Sequence, residues 1–142
     1  MDIEIRPQEL AQNAWLVRVG GTLDTETYPR FEERLGAIAS KAPRSLLLSM
    51  EDVKYISSSG LGALFRLKRH FDQSSGFFGI YDASIAVRRV LEISKSGALL
   101  VSPEVIGADS PFFPYVSARE TEKRKEAEAR ARKSKPSQRR SR

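Results

Sequence analysis

The stretch from Leu46 to Gly62, LLLSMEDVKYISSSGLG, joins a strong strand signal to the start of a helix. Its three consecutive leucines are typical of a central strand that is covered on both faces. The segment Ser57-Ser58-Ser59-Gly60 comes next, and the apolar residues that follow it recur at helical spacing. We therefore predict a buried strand over 45–50, a loop over 51–56 and a helix that begins at the serines.

The segments on both sides extend this unit into an alternation of strands and helices. Strands are predicted at 2–6, 15–19, 77–81 and 98–101, with helices after Asp24 and after Asp82 or Ser84. Because crossovers between parallel strands are right-handed, this order gives a mostly parallel sheet after a hairpin-like first pair. We predict an α/β fold with a four- to five-stranded mixed sheet and three or four helices mainly on one face.

The composition limits the kind of protein that this chain can be. Its 142 residues allow one domain and a tail, and they include no Cys and one His, His70. Disulfides, thiol catalysis and a His-rich metal site are therefore excluded, and nothing supports carboxylate catalysis. We expect no enzyme activity, no catalytic residue, no metal and no cofactor.

The cellular location follows from what the chain lacks. The longest purely aliphatic run is the three leucines, and the N-terminus, Met1-Asp2-Ile3-Glu4, is acidic where a signal peptide is basic. We therefore expect no transmembrane segment and a cytoplasmic protein.

The net charge of +6 is placed unevenly along the chain. Residues 119–142 hold 11 Lys/Arg and 4 Glu, whereas residues 1–118 hold 13 Lys/Arg and 14 Asp/Glu. The tail lacks interleaved aromatic residues, so any binding to nucleic acid or an anionic surface would be purely electrostatic. We expect a solvated tail rather than a nucleic-acid interface.

The C-terminal part divides into a linker and that tail. Residues 1–102 form the predicted domain, 103–116 a linker rich in proline and aromatic residues, and 117–142 the basic tail. The linker's aromatic residues either dock on the domain or form an exposed contact patch for a partner or a second copy. Ser117 and Glu120 fit a capping box, which predicts a charged helix over 117–133 that has no apolar face to pack, then disorder over 134–142.

The serines at the predicted helix start occupy a chemically specific position. The first backbone N–H groups of a helix have no internal partner, and the helix dipole places positive potential there. A serine hydroxyl caps such groups, which is the ordinary reason for serine at this position. A phosphate on the same hydroxyl would also be accommodated, and it would add about −1.5 to −2 charges to the surface.

The stretch 46–62 resembles the signature of the STAS domain family, which includes parts of sulfate transporters and the anti-sigma factor antagonists. In that signature a buried strand and a short loop lead to Asp-Ser-Ser/Thr-Gly-Leu-Gly at the start of a helix. Two more segments are similar to the family pattern: residues 17–24, VRVGGTLD, and residues 82–94, DASIAVRRVLEIS. The resemblance spans about residues 1–102, in the order that the family shows.

The resemblance implies a protein that acts by binding. An antagonist of this family binds an anti-sigma factor, which is often also a serine kinase that phosphorylates it, and a phosphatase restores it. On matching positions, the phosphorylated residue would be Ser58. The partner-binding surface would comprise Asp24, Ser57, Ser58, Ser59 and Gly60.

One position departs from the family pattern. Ser57 stands where the family has Asp before the phosphorylated serine, which puts phosphorylation by a conventional kinase in doubt. The alternative is therefore a STAS scaffold or oligomerising module without a switch, as in a stressosome-like assembly or a transport complex. Self-association is part of that alternative.

Overall fold

The computed structural model describes residues 2–134, which form a four-stranded sheet and four α-helices. The strands are β1 (Ile3–Leu10), β2 (Ala14–Leu23), β3 (Ser45–Ile56) and β4 (Phe77–Tyr81). The helices are α1 (Tyr28–Ala39), α2 (Ser58–Gln73), α3 (Ile85–Ile93) and α4 (Phe113–Ser134). Two short 3-10 turns, Gly97–Leu99 and Pro103–Val105, lie between α3 and α4.

The sheet has the strand order β1-β2-β3-β4. The first pair is antiparallel, and β3 runs parallel to both of its neighbours. The predicted α/β fold with a mostly parallel mixed sheet is thus confirmed. The strand predicted at 98–101 is wrong, because this segment forms a 3-10 turn and touches the sheet through one bridge, between Ile80 and Leu100.

The central strand β3 carries the core, as the three leucines predict. Leu46, Leu47 and Leu48 are fully buried, since helices cover both faces of the sheet. The strand is longer than predicted: it continues to Ile56 because its second half pairs with the end of β2, from Gly20 to Leu23. The loop predicted over 51–56 is therefore wrong.

Helices α1, α2 and α3 pack on one face of the sheet and the start of α4 packs on the other. On the first face, Phe31 of α1, Leu64 of α2 and Val87 of α3 share one apolar cluster with alternate residues of the strands. The second face buries a smaller cluster, which comprises Ala14, Leu16, Leu47, Tyr81, Ile106, Phe112 and Val116. Three of the four helices thus lie on one face, as predicted.

Two details of the helices differ from the sequence prediction. Helix α1 begins at Tyr28 rather than at Asp24, because Asp24 and Thr27 close a turn before it. In α3 the sequence pattern predicts Ile85, Ala86, Val90 and Ile93 for the apolar side, but the buried residues are Val87 and Leu91, and Ile85 is 72% exposed. A nine-residue helix has apolar residues on more than one side, so its phase is decided by which side meets the sheet.

Helix α4 differs most from its prediction. It begins at Phe113, so Ser117 lies inside the helix and is not its cap. Phe112 and Val116, which belong to the predicted linker over 103–116, are buried on the sheet, so this linker docks on the domain, whereas residues 117–133 include no buried residue. The helix continues through Ser134, and the disorder predicted for the remaining residues concerns 135–142, which lie outside the described residues.

No helix within residues 2–134 has the length and apolar character needed to cross a membrane. The division into a domain over 1–102, a linker over 103–116 and a tail over 117–142 stays a prediction.

Candidate functional site

The segment Ser57–Gly60 lies at the start of α2, as the sequence predicts, and Ser57 is the residue that caps the helix. Ser57 has extended backbone angles, φ −97° and ψ 175°, and its Oγ accepts a hydrogen bond from the Gly60 N–H at 3.2 Å. Its own N–H donates to the Leu23 carbonyl at 3.0 Å. This bond fastens the helix start to the end of β2.

Gly60 is required by a close approach between the helix and β2. A Cβ at this position would lie 2.6 Å from the Leu23 carbonyl oxygen and 2.8 Å from the Leu23 Cγ. Real Cβ atoms essentially never come that close to a backbone oxygen, so a side chain here would push α2 away from the strand. The glycine thus holds the serines in place at the edge of the sheet.

Ser58 is exposed and is the first residue of α2. Among residues 2–134, no group accepts a hydrogen bond from the backbone N–H of Ser58 or Ser59. These free donors and the helix dipole make the surface around the Ser58 hydroxyl receptive to negative charge. Ser59 is half-buried, and its Oγ lies 3.3 Å from the Thr25 Oγ1.

Asp24 lies in the turn directly after Leu23, whose carbonyl accepts the Ser57 N–H. Its Oδ1 accepts hydrogen bonds from the backbone N–H of Glu26 at 3.0 Å and of Thr27 at 3.1 Å. The structure therefore brings the Asp24 turn and the Ser57–Gly60 segment to the same end of the sheet. Within this group the Asp24 carboxylate shapes its own turn.

A second group of polar residues, which the sequence analysis missed, lies where α4 crosses β3 and the end of β4. Arg119 donates to Asp82 at 3.1 Å and to Glu51 at 2.9 Å, and Lys123 also contacts the Asp82 carboxylate. We call Glu51, Asp82, Arg119 and Lys123 the Asp82 cluster. The Asp82 side chain is only 5% exposed, so its charge needs these two cations.

The two acids of the Asp82 cluster have opposite environments. Burial, with the hydrogen bond and the negative charge of Asp82, raises the pKa of Glu51 to about 7. Burial would also raise the pKa of Asp82, but hydrogen bonds with Glu51, Lys123 and Arg119 outweigh it and lower that pKa. Asp82 thus keeps its charge near neutral pH, where the Glu51 carboxyl is about half protonated.

Two tyrosine hydroxyls form further hydrogen bonds that hold α4 against the sheet. The Tyr81 hydroxyl donates to the Glu120 carboxylate at 2.5 Å, and the Tyr115 hydroxyl donates to the Ser49 Oγ at 3.1 Å. Burial, with the hydrogen bond to Glu120, raises the pKa of Tyr81, so its hydroxyl stays protonated. No local pattern pointed to these contacts, because their partners are 39 and 66 residues apart in the sequence.

Nothing in the described part of the chain resembles a metal centre. No group of three or more His, Cys, Asp or Glu residues within 2–134 could hold a metal ion. His70 is exposed near the end of α2, where its ring meets the edge of Phe71. What the geometry offers is a surface, made of an exposed hydroxyl at the positive end of a helix.

Comparison with solved structures shows where this fold has been seen before. The anti-sigma factor antagonist SpoIIAA in its unphosphorylated form superposes with a TM-score of 0.62 at 18% identity, over 69% of this chain and 86% of that chain. An anti-sigma factor antagonist from Mycobacterium paratuberculosis gives 0.62 at 23% identity, over 69% and 82%. SpoIIAA in its phosphorylated form gives 0.58 at 19% identity, over 69% and 89%. At these identities the likeness shows the fold.

Comparison of sequences shows the family. The anti-sigma-B factor antagonist of Staphylococcus aureus is 32% identical over 78 residues, which are 55% of this chain and 72% of that protein. The family model of the STAS domain matches residues 7–107, well over half of the chain and the whole of the surface around Ser58. The chain therefore belongs to the STAS domain family.

Proposed function

We propose that this chain is an anti-sigma factor antagonist of the cytoplasm, which binds an anti-sigma factor through the surface formed by Asp24, Ser57, Ser58 and Ser59, with Gly60 buried at the helix start. Phosphorylation of Ser58 by that partner, acting as a serine kinase, weakens the complex, and a phosphatase restores it. The chain works by binding and not by catalysis.

The observation that carries this proposal is the exposed Ser58 hydroxyl at the N-terminus of α2. The site is accessible to a kinase without unfolding, and the free N–H groups beside it can accept a phosphate. A phosphoryl group would therefore leave the fold intact while it adds about −1.5 to −2 charges to the binding surface. Support also comes from the relatives, which are named anti-sigma-B factor antagonists, and from the two SpoIIAA forms.

The test compares two variants of the acceptor residue against the anti-sigma factor encoded in the same genome. Ser58→Ala should bind with the affinity of the unmodified chain, because it keeps the surface uncharged. Ser58→Asp should bind about 30-fold more weakly or worse, since a charge buried at an interface without a partner costs about 2 kcal/mol or more. Titration calorimetry measures both affinities.

The matched control is Ser117→Asp, which makes the same chemical change on the exposed surface of α4. It should leave the affinity unchanged. Equal affinities for Ser58→Ala and Ser58→Asp would remove the switch from the proposal, and failure of the unmodified chain to bind would remove the antagonist function itself.

One residue favours a second candidate, a STAS scaffold without a switch. Ser57 caps α2 through its hydroxyl and supplies no carboxylate beside Ser58, unlike the family pattern. A scaffold of this kind would assemble into a defined oligomer whatever the state of Ser58. Light scattering of the unmodified chain distinguishes the two functions, because a single-chain mass at micromolar concentration contradicts the scaffold.

A further inference from the structure

The docking of α4 creates a groove on the surface of the molecule. It is an open depression bounded by the second half of β3, the first turn of α3 and the side of α4 that carries Lys123 and Arg130, and its volume is about 800 Å³. Val53 and Lys54 line it from β3, Ile85 from α3 and Arg130 from α4. We call this feature the α3–α4 groove. The match to the STAS family model ends at residue 107, so the wall supplied by α4 lies outside the matched domain.

The groove has an excess of unpaired positive charge. Its floor holds the Asp82 cluster, whose two cations pair with Asp82 and Glu51 and also with Glu122 and Glu120. Three further cations, Lys54, Arg88 and Arg130, and one acid, Glu126, line the groove. None of these four side chains forms an ion pair with another residue of the described range. These four unpaired side chains therefore carry a net charge of +2.

An apolar side chain projects at the same place. Ile85 is 72% exposed, although it begins α3 beside the Ser84 cap, where polar residues are usual. The N-terminus of α3 adds positive potential to that of the cations. An occupant that suits these features carries negative charge and at least one apolar side chain. A peptide segment rich in Asp or Glu meets both demands.

The α3–α4 groove and the Ser58 surface are joined by the end of β3. Lys54 precedes Ser57 by three residues on the same extended chain, a distance of about 10 Å at the rise of a strand. A protein that docks against Ser57–Gly60 would therefore need to span about 10 Å along β3 to reach Lys54.

We propose that the α3–α4 groove binds an acidic peptide segment of the protein that docks on the Ser58 surface. The identity of that protein rests on the proposed function, whereas the chemistry of the segment rests on the groove alone. Nucleic acid fits the groove less well, because the exposed Ile85 side chain would meet no apolar partner. The groove would then select among partners by charge, and would hasten their association.

The test uses the full chain and a defined probe, the acetylated and amidated pentapeptide Glu-Glu-Leu-Glu-Glu. In a ¹⁵N NMR titration, the amides of Lys54, Ile85, Arg88 and Arg130 should shift together and saturably. Arg130→Glu should weaken binding about fivefold or more, since reversing one cation turns an attraction into a repulsion of similar size. The control Arg132→Glu changes the same charge on the same helix outside the groove, and it should weaken binding less than about twofold.

Four outcomes would overturn the proposal. The first is that no amide shifts at about 5 mM peptide, and the second is that the shifts spread over residues 124–134 without including Ile85. The third is an equal loss of peptide affinity in Arg130→Glu and Arg132→Glu. The fourth is that a DNA duplex binds at the same amides more tightly than the peptide. The comparison of Ser58→Ala with Ser58→Asp does not involve Arg130. The phosphorylation switch and the peptide-binding groove can therefore be disproved separately. Equal binding of a partner to the two Ser58 variants leaves the groove standing, and a peptide that does not bind leaves the switch standing.

Discussion

At the scale of single residues, the candidate site depends on a contact that only glycine allows. Gly60 lies against the Leu23 carbonyl, so Gly60→Ala forces α2 and β2 apart and should destabilise the fold by about 1–3 kcal/mol, the usual cost of overpacking. Gly62 is two residues further along the same helix, and a Cβ there meets only the end of the flexible Arg66 side chain, at 3.4 Å.

Gly62→Ala is therefore the matched control, and it should stabilise the chain by about 0.5–1 kcal/mol, because alanine favours the helix. Urea unfolding of both variants measures the difference. A Gly60→Ala variant that is as stable as the parent would show that the helix start does not need its contact with Leu23, and the placement of the serines would lose its explanation.

At the scale of elements, α4 is held by an apolar start and a polar middle. Phe112, just before the helix, is 2% exposed against Leu16, Leu47 and Tyr81, whereas the neighbouring Phe113 is 37% exposed. Phe112→Ala should cost about 3 kcal/mol or more, as loss of a buried aromatic does, and Phe113→Ala should cost less than about 1 kcal/mol.

Thermal unfolding and hydrogen exchange of the α4 amides measure this pair of variants. If α4 docks as described, exchange over α4 should quicken in Phe112→Ala more than exchange in α1 does. Equal costs for the two variants would mean that the aromatic residues at the start of α4 do not dock the helix.

The local patterns of the sequence predicted most helices and strands. They failed to predict which residues are buried where a helix has apolar residues on more than one side. The helical stripe of α1, with Phe31, Leu35 and Ile38 buried, was predictable because its spacing repeats over three turns. In α2 the sequence pattern placed Phe65 on the buried side, which is wrong: Phe65 is 38% exposed, and Leu67 is buried instead. Such choices depend on how the helix is rotated against the strands, which no local pattern contains.

At the scale of the whole molecule, charge and stability reside in different parts of the chain. Residues 124–142 hold nine Lys/Arg and two Glu, a net charge of +7, and the ion pairs that hold α4 on the sheet end at Lys123. A chain that stops after Lys123 should therefore have a net charge of −1 and keep its stability within about 1 kcal/mol, as for exposed surface changes.

Ion-exchange chromatography and thermal unfolding test this separation of charge from stability. The shortened chain should no longer bind a cation exchanger at neutral pH, while its unfolding temperature stays within a few degrees of the parent. A large fall in that temperature would show that residues beyond Lys123 contribute to the fold.

The sequence by itself determined the features that depend on neighbouring residues. The leucines of β3 predicted a central strand, and the serines before Gly60 predicted the start of α2, because burial patterns and helix caps are local properties. It also determined that the basic charge belongs to the C-terminal tail.

Only the tertiary structure decided what distant parts of the chain do together. Glu51, Asp82 and Arg119 meet because α4 returns across the second face of the sheet, and β3 reaches Ile56 because β2 is there to pair with it. Contacts between residues that lie 30 to 70 positions apart depend on the packing of whole elements. The α3–α4 groove exists for this reason and has no signature in the sequence.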